Sequence, residues 1–158
     1  WWPFPSPFRA WLDASGLGAF DRAKGFAIGS VLMLRSEAIS TIGYFDERFF
    51  LYAEEVDWQK RATDAGWRIV VAPVEATHIG AGTGGDGVLR QALFFASAEE
   101  YQRKHHGAAG WQWFRAANIV GAAVRALLLT GDRREDAVRR RQIFMRGPRA
   151  HLADVRGD

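Results

Sequence analysis

Residues 43–68 read GYFDERFFLYAEEVDWQKRATDAGWR, and the architecture is read outward from them. The stretch opens with an aromatic loop, 44–53, and then places Glu54, Glu55 and Asp57 within four residues. Acids there suit the positive end of a helix dipole, with Lys60 and Arg61 further along and Gly66 as the terminating residue, so a helix is predicted over about 54–65. Downstream, WRIVVAPVEA at 67–76 reads as a strand, with Pro73 marking an edge or strand end. Upstream, AIGSVLMLR at 27–35 is a nearly continuous apolar run, the pattern of a strand buried on both faces. Between them a short helix, 37–42, is capped by Ser36 and ended by Gly43. Strands alternating with helices predict an α/β layered domain.

The flanks are plainer. Residues 1–24 form an aromatic lead-in broken by Pro3, Pro5, Pro7, Gly16 and Gly18, with a short helix at about 8–14. Five glycines between Gly80 and Gly87 make a flexible loop. Helices are predicted at 88–106, 111–129 and 133–145, with Gly107 to Gly110 as a break. On 111–129 the polar residues Gln112, Arg115, Asn118 and Arg125 fall on one narrow stripe among apolar neighbours. Such a helix is either packed in protein or laid in a membrane interface.

A chain of 158 residues suits one domain, and 48% hydrophobic against 25% charged residues excludes global disorder. The absence of cysteine excludes disulfides and thiolate metal sites. No run of 18 uncharged apolar residues exists to span a bilayer. The net charge of +3 belongs to the tail, where eight arginines face five acids from Asp132 onward. That tail suits anionic headgroups, and no nucleic-acid-binding motif accompanies it, so no nucleic-acid partner is expected. The first residue is Trp1 rather than Met, from which the chain is expected to begin inside a longer protein.

Local physics gives the acidic cluster a modest role: acids in a first turn favour the helix by about 0.3–1 kcal/mol each, and Asp57 can pair with Arg61 one turn on. A carboxylate at a loop-to-helix junction can also face a cleft while the helix terminus keeps it ionised, as a general base requires. His78 follows the second strand and reads first as a hydrogen-bonded structural residue. IGAGTGGDG at 79–87 lacks the Gly-Lys-Ser/Thr ending of a phosphate loop, and reads equally as a solvent loop or as a mobile loop over a donor.

Six pieces occur in order: GSVLMLRSEA from Gly29, GYFDERFF from Gly43, YAEEVD from Tyr52, AGWR from Ala65, Pro73 and His78. Together they resemble the C-terminal half of family 2 glycosyltransferases, the rhamnosyltransferase-like group, over about 25–107. The resemblance implies the C-terminal portion of a GT-A fold within the α/β class, an inverting mechanism and a nucleotide-diphosphate sugar donor. It also implies a glycan or lipid-linked acceptor, with rhamnose as a candidate sugar. The chain then divides into a lead-in (1–24), the acceptor-side half of the catalytic domain (25–107) and a helical, basic extension (108–158). The family's acidic pair is usually Glu-Asp, its second member deprotonating the acceptor. Glu55 holds that place with one extra methylene, Glu54 supports the loop, and Asp57 completes the cluster as a helix stabiliser. Gly29, Ser30, Trp58 and Thr83 are the expected substrate contacts. His78 matches a third ligand to a divalent metal, Mg or Mn, otherwise held by an Asp-x-Asp motif that this chain lacks. The expected location is cytoplasmic, peripheral at the inner face of the membrane. A half sheet of this kind exposes a strand edge and apolar surface. The competing expectation is a non-catalytic fragment that binds a membrane or a partner.

Overall fold

A computed structural model describes residues 2–18, 25–77 and 86–157. Helix α1 spans Pro7–Ala14, with Ser6 accepting from the Arg9 amide at 3.2 Å as its N-cap. Helix α2 spans Ser36–Ile42 and α3 spans Glu54–Asp64. Helix α4 runs Gly87–Leu128 behind an Asp86 cap, broken at Gly107, and is followed by α5 (Gly131–Arg146) and α6 (Pro148–Arg156). The sequence anticipates α1 to α5 within a few residues, but the break expected over 107–110 is confined to Gly107, with 108–110 helical. It does not anticipate α6, and Ser36 is the first residue of α2 rather than its cap: the N-cap is Arg35, with no side-chain cap bond.

Helices α4 and α5 form the main core, where Phe95, Trp111, Ile143 and Phe144 are buried against one another with Phe114 and Ile119 alongside. Arg115 fixes the end of α5 by donating to the Phe144 and Met145 carbonyls at 2.7 and 2.6 Å, which satisfies acceptors that a helix C-terminus leaves open. Helix α1 lies on the second arm of α4 so closely that a Cβ at Gly121 would sit 3.0 Å from the Ala14 Cβ. A second cluster, Ala38, Trp58 and Ala62 with Leu34, Ile39, Ile42 and Trp67, packs α2 on α3. A third, Phe49, Val56 and Tyr101 with Phe4, Phe26 and Ala53, joins that pair to α4.

The described residues contain no strand. Their single β-bridge is antiparallel, Trp2 to Phe26. The segments 27–35 and 67–76, expected as strands, run without regular structure, and Ile28, Val31, Met33, Val70, Val71 and Val74 are exposed. The physical reason is the lack of a neighbour. A strand exists by exchanging backbone hydrogen bonds with another, and these two segments do not pair with each other. The polar stripe of α4 is divided between core and solvent, with Gln112 and Arg125 exposed. Asn118 is buried and accepts from Arg140 at 2.7 Å, while Arg125 donates to the Asp13 carbonyl at 2.9 Å.

Gly107 adopts φ 68° and ψ −173°, a region essentially reserved for glycine. Gly107→Ala is expected to cost about 1–3 kcal/mol and to lower the melting temperature by several degrees, read by circular dichroism. An unchanged melt would mean that the break in α4 is not enforced at this residue.

Candidate active site

The acidic cluster forms the first turn of α3 and its three members have separate fates. Tyr52 and Ala53 lead into it, both at φ 69°. Two successive non-glycine residues in the left-handed region cost on the order of 1–3 kcal/mol each, so surrounding contacts must hold them. The Ser97 hydroxyl donates to the Leu51 carbonyl at 2.8 Å, Tyr52 meets the edge of Phe94 with centroids 5.6 Å apart, and Ala53 packs in the third cluster. The turn therefore delivers Glu54 and Glu55 in a fixed direction.

Glu54 and Glu55 are half-buried, and each keeps its Oε2 shielded and without a hydrogen-bond partner. Shielded carboxylate oxygens are costly unless something donates to them. Burial pushes the Glu54 carboxyl up and the neighbouring Glu55 charge adds to it, against a backbone hydrogen bond that lowers it. Gly29 comes against Glu55: a Cβ there would lie 2.9 Å from both the Cβ and the Cγ of Glu55. Only a residue without a side chain lets the 25–30 segment approach the acid so closely.

Gln59 sets that approach, and sequence reasoning passed it over. Its buried amide accepts from the Ala27 N–H at 2.8 Å and donates to the Ala27 carbonyl at 2.8 Å and to the Glu55 carbonyl at 3.1 Å. One side chain thus clamps the segment carrying Gly29 to the turn carrying Glu55. Ser30, next along, is exposed.

Asp57, the third acid of the cluster, takes a structural place. It is completely buried. It accepts from Arg61 Nε at 2.9 Å, from Lys104 Nζ at 2.5 Å and from His105 Nε2 at 2.7 Å. Lys104 also reaches Asp46 at 2.7 Å, and Arg48 and Lys104 hold Asp46 well below the usual carboxylate range. Arg61 continues outward to the Ile42 and Tyr44 carbonyls, binding the end of α2 to the same carboxylate. Burial alone would push Asp57 up, but the bonds from His105, Lys104 and Arg61 outweigh it and hold its carboxyl at about 2. Lys104 and His105 lie nearly fifty residues away in sequence, and no local signal marks them.

Trp58 is buried, its indole N–H donates to the Gly43 carbonyl at 2.9 Å, and its ring lies beside Phe45. It packs as core between α2 and α3. His78 and Thr83 lie outside the described residues. Among the described residues no three His, Asp or Glu side chains gather at metal-binding distance, so these residues do not by themselves make a metal site.

The chain is 33% identical over 117 residues to the N-acetylglucosaminyl-diphospho-decaprenol L-rhamnosyltransferases of two strains of Mycobacterium tuberculosis. The match covers 73% of this chain and 36% of each relative, so the chain spans about a third of their length. No family model matches the chain, and no solved structure matches it. The chain is thus similar, over most of its length, to part of a glycosyltransferase.

Since the Asp57 carboxyl is depressed from 3.8 to about 2, its stabilisation is full above about pH 4 and is lost as pH falls toward 2. Asp57→Asn is expected to cost about 3 kcal/mol near neutral pH, because Arg61 and Lys104 lose their buried charged partner. Urea midpoints of the two proteins should converge as pH approaches 2. A constant gap would place the stabilising charge elsewhere.

Proposed function

We propose that this chain is the acceptor-side part of an inverting glycosyltransferase of family 2 and GT-A class, with Glu55 as general base. The observation that carries the reading is the shielded, unpartnered oxygen of Glu55, held between a strained turn and Gly29. The similarity to a rhamnosyltransferase supports the same reaction class and makes rhamnose the first sugar to test. In the proposed step Glu55 takes the proton of an acceptor hydroxyl as that oxygen bonds to the anomeric carbon. The bond from that carbon to the nucleotide diphosphate breaks on the opposite face, and the diphosphate leaves with the electron pair. Glu54, raised by burial, lies beside the base and keeps the turn compact.

The donor and its divalent metal, Mg or Mn, are assigned to residues outside those described, with His78 and Thr83 as this chain's own candidates. The apolar segments 27–35 and 67–76, exposed as they are, support a sheet completed by polypeptide beyond these residues. Glu55→Gln in the full-length protein is expected to lower kcat by on the order of 10²–10⁴-fold while donor affinity stays close to wild type. Gly29→Ala should lower kcat by on the order of 10²-fold by displacing Glu55 without unfolding the chain. Wild-type turnover in Glu55→Gln would remove the residue from the chemistry.

A membrane-facing position is part of the same proposal. The second arm of α4 leaves Trp113, Val120, Val124 and Leu127 exposed, at helical spacing along one face, with Leu128 beside them. No helix among the described residues is long and apolar enough to cross a membrane, so this face suits lying in an interface. Leu127→Ser with Leu128→Ser is expected to reduce co-sedimentation with phosphatidylglycerol vesicles several-fold. Equal sedimentation of the variant would dismiss the stripe as the contact.

A further inference from the structure

Helix α6, invisible in the sequence patterning, forms one wall of a cleft of about 420 Å³ against α4. Along α6 the lining residues Arg149, Leu152, Ala153 and Arg156 recur at helical spacing, which places two guanidiniums at the ends of an aliphatic stripe. Helix α4 answers with Leu93, Ala96, Ser97 and Glu100 on one stripe of its own. The third wall is the loop that enters the acidic turn, through Arg48 and Phe50.

The charges in this cleft are under-neutralised. Glu100 is the sole acid of the lining and is shared by Arg48 at 3.5 Å and Arg149 at 3.3 Å, both longer than the roughly 2.7–2.9 Å of a strong charge-assisted bond. Arg156 meets no carboxylate among the described residues, and its guanidinium lies over the Phe50 ring at 5.9 Å. Phe50 itself is 79% exposed, four residues before Glu54. Arg48 commits its fork to Asp46, with Nη2 at 2.6 Å, so Arg149 and Arg156 are the guanidiniums whose donors suit phosphate oxygens, and the aliphatic and aromatic walls suit a hydrocarbon rather than a sugar or a base. The same loop is tied to α4 by Ser97, which sets the cleft beside the Glu54–Glu55 turn.

We propose that this cleft binds the diphosphate and the first isoprenyl units of a lipid-linked acceptor, with Arg149 and Arg156 on the diphosphate and Phe50 and Leu152 on the chain. The assignment rests on the glycosyltransfer reading for the acceptor's identity, and its test is independent of turnover. Titrating this chain with farnesyl diphosphate should show binding, with inorganic diphosphate at least about tenfold weaker for want of the apolar contact. Arg156→Ala and Arg149→Ala should each weaken farnesyl diphosphate about tenfold or more while melting as wild type does, and Arg156→Lys should recover part of the loss. Phe50→Ala should weaken farnesyl diphosphate and leave inorganic diphosphate unchanged. Absence of binding, or equal binding by the arginine variants, overturns the site. Loss of phosphatidylglycerol vesicle binding in those variants with farnesyl diphosphate unaffected also overturns it, by assigning the arginines to bulk phospholipid. Activity retained in Glu55→Gln would sink the base while leaving the cleft standing. An unchanged acceptor KM in full-length Arg156→Ala would do the reverse.

Discussion

A carboxylate with no solvent exposure, held by Arg61, Lys104 and the His105 ring, organises this molecule. Asp57 belongs to the short helix that carries the acidic turn, whereas Lys104 and His105 belong to the long helix around which the C-terminal helices pack. Without that ionic knot the α2–α3 pair would rest on α4 mainly through Phe49, Val56 and Tyr101. Removing one partner from a buried charge cluster leaves the others uncompensated, which costs more than the cluster contributes when intact. The knot therefore serves as a requirement of docking: α3 seats on α4 in the one orientation that satisfies every charge. The direction in which Glu54 and Glu55 point follows from it.

The helix spacing and glycine breaks were legible from residue order alone, because helix signals are local. Gly43, Gly66 and Gly107 each take the positive φ that their positions suggest. The acidic turn was legible too, although composition could not separate its members. Glu55 and Asp57 are two residues apart on a helix, which turns them to different sides, so one meets Gly29 and the other meets α4. The packing of Trp58, whose indole finds a carbonyl fifteen residues away within the core, likewise has no local mark. Long-range partners such as Gln59 with Ala27, or Asp57 with His105, leave no periodic trace. The strand pattern at 27–35 and 67–76 records a preference for a pleated neighbour, and the described residues do not provide one.

Polar atoms divide α3 into two regions. In the interior of α3 nearly every buried polar group is matched: Asp57 by Arg61, Lys104 and His105, Gln59 by two backbone groups of Ala27, Trp58 by Gly43. At the turn itself the match fails for the two glutamates. A helix that satisfies its own interior so completely and leaves two adjacent carboxylate oxygens without donors concentrates its unmet demand at one place. The arginine-lined cleft on the far side of the same loop is the complementary case, with donors in excess of acceptors. Unused acceptors and unused donors thus flank a single strained loop.

The pairing around Ala27 has a further consequence. Phe26 exchanges both backbone hydrogen bonds with Trp2, at 2.9 and 2.7 Å, and Ala27 exchanges both of its own with the Gln59 amide. Successive residues of an extended chain present these groups to opposite sides, so two neighbours occupy both flanks at this point. The side-chain amide stands in for a peptide group and cannot pass the pairing on. The root of an otherwise sticky apolar segment is thereby sealed against templated self-assembly, and recruitment of another chain can begin only beyond it, from Ile28.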